Sequence, residues 1–269
     1  MSGLNQGDFL DDPMAGRHRL RLLSYNIQVG ITSSSPYHYF TNIWKHILPA
    51  SCRFSNLNRI AELVQGYDIV ALQELDAGSH RTRQINMTEY LANAGEFSFW
   101  YHQLNRDMGK VAQHGNGFLS RFRPDEVEEH SLPGMIPGRG ALLLKFGQEP
   151  NVLAVMLIHL ALGRRARQMQ LEYVSRLLAP YRYAVLMGDM NCEPDSPEMR
   201  ALFAQTTLRE PECELKTFPS WKPAKNIDHI LVSEGLEISH CHVLSQAYSD
   251  HLPVAMELLL PTELKLISG

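Results

Sequence analysis

The chain has 269 residues, 44% hydrophobic and 20% charged, a globular balance that excludes a disordered or collagen-like polymer. Its 25 Lys and Arg stand against 29 Asp and Glu, so the net charge is −4 and there is no general cationic coat for nucleic acid. The four cysteines, Cys52, Cys192, Cys213 and Cys241, form no CxxC pair, which leaves no zinc knuckle and no redox dithiol.

Residues 1–18 are polar, with Gly and Pro, and read as a loose N-terminal tail. The run 19–26 (RLRLLSYN) is short and largely apolar and predicts a strand. Residues 31–55 break the rhythm with Tyr37, Tyr39, Phe40, Trp44 and Phe54. A connection of that length inside a domain is often functional, as a ligand-binding loop or a packed lid. Leu57, Ile60, Ala61 and Val64 then recur at helical spacing over 56–66, before a buried-strand run at 68–73 (DIVALQ). A second helix is expected over 84–94, with Ile85, Tyr90, Leu91 and Ala94 inward.

Strand runs follow at 98–103, 116–121 and 139–146, and a long apolar strand at 152–159. Met169, Tyr173, Leu177 and Leu178 mark a third helix, and 183–188 (YAVLMG) another strand. Short strands close the chain near 227–233, 239–244 and 252–259. Helices and strands alternate, then strands follow strands, which predicts a single α/β domain with a mixed sheet over 19–260 and a C-terminal tail at 261–269. The longest apolar run is far too short to span a bilayer. The N-terminus carries Asp8, Asp11 and Asp12 where an export signal needs a basic start, so a cytoplasmic protein without a transmembrane segment is expected.

Polar side chains end the apolar runs. Asn26 ends the first, Glu74 follows DIVALQ, His159 ends VLAVMLI, and Asp189 and Asn191 follow YAVLMG. Asp228 opens DHILVS, and Asp250 and His251 precede the last strand. Neighbouring strands bring their ends to one rim, where Glu74, Asp189, Asp228 and Asp250 would repel. Such a group needs a cation or charged imidazoles to stay ionised. Oxygen-rich ligands favour Mg²⁺ or Mn²⁺ over zinc.

SYNIQ, LQELD, GNGFLSRF, IHLALG, GDMN, NIDHILVS and SDHLP stand in that order along residues 19–259. In this the chain closely resembles the endonuclease/exonuclease/phosphatase superfamily. The resemblance implies an α/β fold, a four-layer α/β/β/α sandwich of two packed mixed sheets, and divalent-metal-dependent cleavage of a phosphate ester. It implies Asn26, Glu74 and Asp250 at the metal. Asp189 is implied to orient or deprotonate the attacking water, with Asn191 holding the phosphate or Asp189 itself. Asp228 and His251 are implied as a hydrogen-bonded pair whose imidazole stays charged. His159 resembles the additional histidine of the deoxyribonuclease and sphingomyelinase branches. Gln28 replaces the Asp or Asn usual in apurinic endonucleases, which argues against that branch.

Asn116 in GNGF and Arg164, just after His159, are the candidate substrate-binding residues. Arg165 and Arg167 share that cationic run, and Arg139 and Arg121 are expected in salt bridges. The expected activity is hydrolysis of a phosphodiester by in-line attack of water. The partner is then a phosphate-ester substrate, a nucleic acid or a phospholipid headgroup. A non-catalytic phosphate-binding or scaffold protein on the same fold is the alternative.

Overall fold

The computed structural model describes residues 17–28, 50–78, 85–107, 113–135 and 138–269. Residues 1–16 of the expected tail and 31–49 of the aromatic segment lie outside them. The elements in chain order are β1 (Arg19–Asn26), α1 (Ala50–Val64), β2 (Ile69–Asp76), α2 (Met87–Ala94), β3 (Phe99–Asp107), β4 (Gln113–Ser120), β5 (Phe122–Arg123) and β6 (Glu126–Ser131). They continue with β7 (Gly140–Phe146), β8 (Leu153–His159), α3 (Arg164–Leu178), β9 (Tyr183–Asp189), α4 (Pro197–Gln205) and β10 (Leu208–Arg209). The last are β11 (Asp228–Ser233), β12 (Glu237–Val243), β13 (Val254–Leu259) and β14 (Ile267–Ser268).

Two six-stranded mixed sheets form, in the orders β12-β13-β1-β2-β4-β3 and β10-β11-β9-β8-β7-β6. Successive side chains on a strand point to opposite faces, so each central strand feeds two cores. Leu20 and Leu22 of β1, with Ile69 and Ala71 of β2, pack on Leu142, Val155, Leu157, Val185 and Ile230 from the second sheet. The alternate residues Leu23, Tyr25, Val70 and Leu72 pack instead on Leu57, Ile60 and Val64 of α1 and on Met87 and Leu91 of α2. On the far side Met156, Ile158, Leu186 and Leu231 meet Leu171, Val174 and Leu178 of α3 and Met199 and Leu202 of α4. Helices, sheet, sheet and helices therefore make four layers, as the motif resemblance implies. Burial on both faces explains why these strands read as unbroken apolar runs.

The expected strands are present within a few residues. Two helix faces differ from expectation. In α2 the buried residues are Met87, Thr88, Leu91 and Ala92, and Ala94 is exposed. In α3 they are Gln170, Leu171, Val174, Ser175 and Leu178, and Met169 faces out. The outward turn of Met169 bears on the site below. The helix α1 begins at Ala50, about two turns before Leu57, where its apolar stripe starts.

Neither chain end is loose where it is described. Leu260 N–H donates to His18 O over 2.9 Å, and Arg17 pairs with Glu237. Residues 261–269, read above as a tail, carry buried Leu264 into the core between the sheets and pair as β14 with β5. Polar β6 (EVEEHS) gives no apolar run in the sequence because, among the described residues, it is a sheet edge beside β7 and has little to bury.

Gly188, in β9 one residue before Asp189, has φ +141°, and a Cβ there would lie 1.9 Å from Ile158 O. Only glycine lets β8 and β9 run this close. Gly188→Ala is expected to lower stability by about 3 kcal/mol or more, through backbone strain and a steric clash. Urea denaturation checks this, and a loss under about 1 kcal/mol would contradict the close approach.

Candidate active site

Strand register brings the polar strand ends together. In the second sheet His159 is level with Asp189, across the parallel β8–β9 pair. Asp228 is level with Asp189 on its other side, across the antiparallel β9–β11 pair. In the first sheet Asn26 ends β1 opposite Gln73, next to Glu74. The antiparallel partner β13 begins at that same end, so the turn holding Asp250 and His251 arrives beside Asn26. Two sheet edges thus converge on one cluster.

Glu74 reaches the cluster through a backbone irregularity. Leu72 and Leu75 both pack on the helix layer, although an odd spacing should send them to opposite faces. The β2–β4 register shifts between them, and Glu74 takes up the extra residue at φ +59°. A non-glycine residue held there costs of the order of 1–3 kcal/mol. In return a bulge re-aims a side chain, as at many active sites. Asn191, two residues past Asp189, is likewise left-handed at φ +52°.

Asp189 is the hub. Asn26 Nδ2 donates to its Oδ2 over 3.0 Å and lies 3.3 Å from Glu74 Oε1, so one amide bridges two carboxylates. The other oxygen, Oδ1, accepts from the Asn191 backbone N–H over 2.9 Å. His159 Nε2 lies 3.5 Å from Asp189 Oδ2 and 4.0 Å from Glu74 Oε1. His251 Nε2 lies 3.9 Å from the same Asp189 oxygen. Its Nδ1 is 2.8 Å from Asp228 Oδ2, which also accepts from the Thr217 hydroxyl. The Phe218 ring packs on the imidazole, centroids 4.9 Å apart.

The charges respond to burial. Asp189 is pushed up to about 7, by desolvation first and by Asp228 second. Glu74 and Asp250 are also raised, again chiefly by desolvation. Burial opposes charge on His251, but Asp228 overcomes it and lifts the imidazole to about 10. Four carboxylates therefore share a site with two imidazoles and Arg139. The surplus of negative charge, together with the buried Asp228 Oδ1 that has no hydrogen-bond partner, fits a divalent cation.

Asp189, Asp228 and His251 offer ligand atoms within 4.8 Å of one another and could hold a metal. Asp228 commits Oδ2 to His251, however, whereas Glu74 faces the cavity that opens here. That cavity, about 760 Å³, runs from Glu74 and His159 past Arg139 to the start of α3.

Two expected substrate contacts are placed differently. Asn116 is fully buried, with Nδ2 3.3 Å from Gly140 O and 3.5 Å from Gln103 Oε1. Arg164 is largely exposed, its Nε 3.7 Å from Glu198 Oε2, and the cations lining the cavity are Arg165 and Arg139. Arg167 is locked to buried Glu198 at 2.7 Å and so braces the turn after His159. The Asn191 side chain donates to Leu160 O over 3.0 Å and ties that same turn to the Asp189 loop.

Two supports were not among the expected site residues, Thr217, which lies outside the motifs, and His229, which lies within NIDHILVS. Thr217 sits in an irregular stretch, and only folding brings it to Asp228. His229 looks away from the cluster, between Glu210 at 2.7 Å and Cys192 O at 2.9 Å, and so ties the loop after Asp189 to β11. The one available signal was its place beside Asp228, where alternation sends it to the opposite face.

The Endonuclease/Exonuclease/phosphatase family model matches residues 23–251. The chain belongs to this family. Its members are phosphoesterase hydrolases. No curated protein sequence matches significantly. A family protein from Beutenbergia cavernae is similar in structure, at TM-score 0.71 and 20% identity, over 91% of this chain and 72% of that one. A Bacteroides thetaiotaomicron mannosyl-6-phosphatase gives TM-score 0.64 and 20% identity, over 90% of this chain and 100% of its own. TDP2 of D. rerio, humanized by 14 mutations, gives TM-score 0.64 and 16% identity, over 90% and 99%. At these identities the likeness is one of fold.

Because Glu74, Asp189 and Asp250 favour their protonated forms in the fold, their contribution to stability is present below about pH 4. It fades as pH rises through the raised values, near 7 for Asp189. A bound cation needs them ionised. Mg²⁺ or Mn²⁺ at about 100 times Kd should raise Tm by roughly 5–10 °C at pH 8 and by much less at pH 5. Thermal scans at both pH values check this, and equal shifts would argue against a cation held by these carboxylates.

Proposed function

We propose that this family member is a divalent-metal-dependent phosphodiesterase that cleaves its substrate by in-line attack of water. The observation that carries this reading is the hub itself. Asp189 lies between Asn26, His159 and a charged His251–Asp228 pair, beside Glu74 and at the end of a cavity.

Glu74, Asn26 and Asp250 would hold the cation, Mg²⁺ or Mn²⁺. When bound, it neutralises charge that gathers on the phosphoryl oxygens. Asp189 would take the proton of the attacking water. Burial raises its pKa above the ordinary carboxylate range, which makes it a stronger base. Asn26 and the Asn191 N–H fix its two oxygens, so its orientation is set before substrate arrives. His251, kept protonated by Asp228, would donate from Nε2 to a non-bridging oxygen. His159, on the other side of Asp189, would contact the phosphate or protonate the departing oxygen. That histidine supports a deoxyribonuclease- or sphingomyelinase-like branch. Asn116 and Arg164 would act indirectly, Asn116 by fixing β4 against β7 and Arg164 by charge at the cavity rim.

Among the described residues no helix is long and apolar enough to cross a membrane.

Hydrolysis of bis-p-nitrophenyl phosphate with Mn²⁺ tests the reading. Asp189→Asn should lower kcat by about 10²–10⁴-fold and His251→Ala by about 10²–10³-fold. Chelation should abolish turnover. Wild-type rates in either variant would remove the assigned roles. Phosphate binding without any turnover would make the protein a scaffold.

A further inference from the structure

The cavity beside the hub has two kinds of wall. Glu74 and His159 form one end, with Arg139 and Arg165 along it. Apart from Asn105, the rest of its described lining is aliphatic or glycine. Leu162, in the turn after β8, is 77% exposed, Met169 of α3 44% and Met135 94%, and all three line the cavity. Leucine and methionine prefer burial, and a cluster of them at the rim of a cleft marks a surface meant to be covered. The N-terminal turn of α3 has no acidic residue and no side-chain cap, so its free amides add positive character beside Arg165.

The composition of the wall selects among phosphate esters. The described rim offers the aliphatic side chains of Leu162, Met169 and Met135. Flexible methionine and leucine side chains suit an alkyl chain, along which they repack. The cations between wall and hub complement the phosphate of the same molecule. The volume, about 760 Å³, is that of a small-molecule site.

We propose that the cavity takes an amphiphilic phosphate ester of the phospholipid class, with its aliphatic part on Leu162, Met169 and Met135 and its phosphate between Arg139, Arg165 and the hub. This deepens the phosphodiesterase reading and rests on it for the cleavage step. The reaction is hydrolysis: water adds to phosphorus, the bond from phosphorus to the leaving oxygen breaks, and the proton lost by the water is matched by one gained on that oxygen.

The test uses the whole chain loaded with Mn²⁺. Three p-nitrophenyl phosphodiesters share a leaving group and differ in the other ester: methyl, octyl and thymidin-5′-yl. The octyl ester should exceed the methyl and thymidinyl esters in kcat/KM by about tenfold or more, since each buried methylene is favourable. Calorimetry with octylphosphonate and methylphosphonate, neither of them hydrolysable at its C–P bond, should give the same order in Kd. In Leu162→Ser/Met169→Ser both ratios should fall to about twofold, and the variant should fold because both side chains already face solvent. Equal ratios in the wild type, ratios unchanged in the variant, or preference for the thymidinyl ester would overturn the proposal, the last in favour of nucleic acid. Tenfold tighter octylphosphonate binding with no ester cleaved would uphold the amphiphile site and overturn the phosphodiesterase reading alone.

Discussion

Burying negative charge where two sheet edges meet is the constraint on which the rest of this protein depends. Asp189 is almost wholly removed from water, and Asp228, Asp250 and Glu74 lie around it. An isolated carboxylate in such a place would lose its charge. The surrounding structure offsets that cost in part. Asn26 lends one amide to two carboxylates, the Asn191 backbone supplies an N–H, and Asp228 is committed to His251 and Thr217. What these contacts leave uncompensated is the demand for a cation.

The same demand orders the scaffold. Gly188 lets β8 and β9 approach closely enough to set His159 level with Asp189. The bulge in β2 spends backbone strain to turn Glu74 toward the cavity. Arg167 and Glu198 brace the turn after His159, and His229 ties the loop after Asp189 to β11. Such supporting contacts hold reacting groups in a narrow range of geometry before substrate binds, which is how positioning lowers a barrier. The cost falls on local backbone energy and the benefit on chemistry, the usual partition at functional sites.

On the proposed reading, recognition and chemistry occupy different parts of the cleft. The hub is built from strand ends, which are rigid. The aliphatic rim is built from a turn and the outward face of α3, which can vary without disturbing the sheets. A common phosphoesterase centre can therefore be joined to different substrates by changing the rim, consistent with a family that spans nucleases and phosphatases.

The amino-acid sequence by itself determined the alternating elements, the unbroken apolar strands and the polar residues that end them, because periodicity and burial are local properties. Asn26, Glu74, His159, Asp189, Asp228 and His251 were all legible as strand endings or motif members. Only the tertiary structure decided the rest. It chose which cation lines the cavity, Arg165 and not Arg164, since neighbours on a helix differ by about 100° in direction. It buried Asn116 against Gly140 and turned Met169 outward, because the helix face is set by the sheet it meets. Thr217 reached Asp228 from an irregular stretch, across eleven residues of chain that no local pattern constrains.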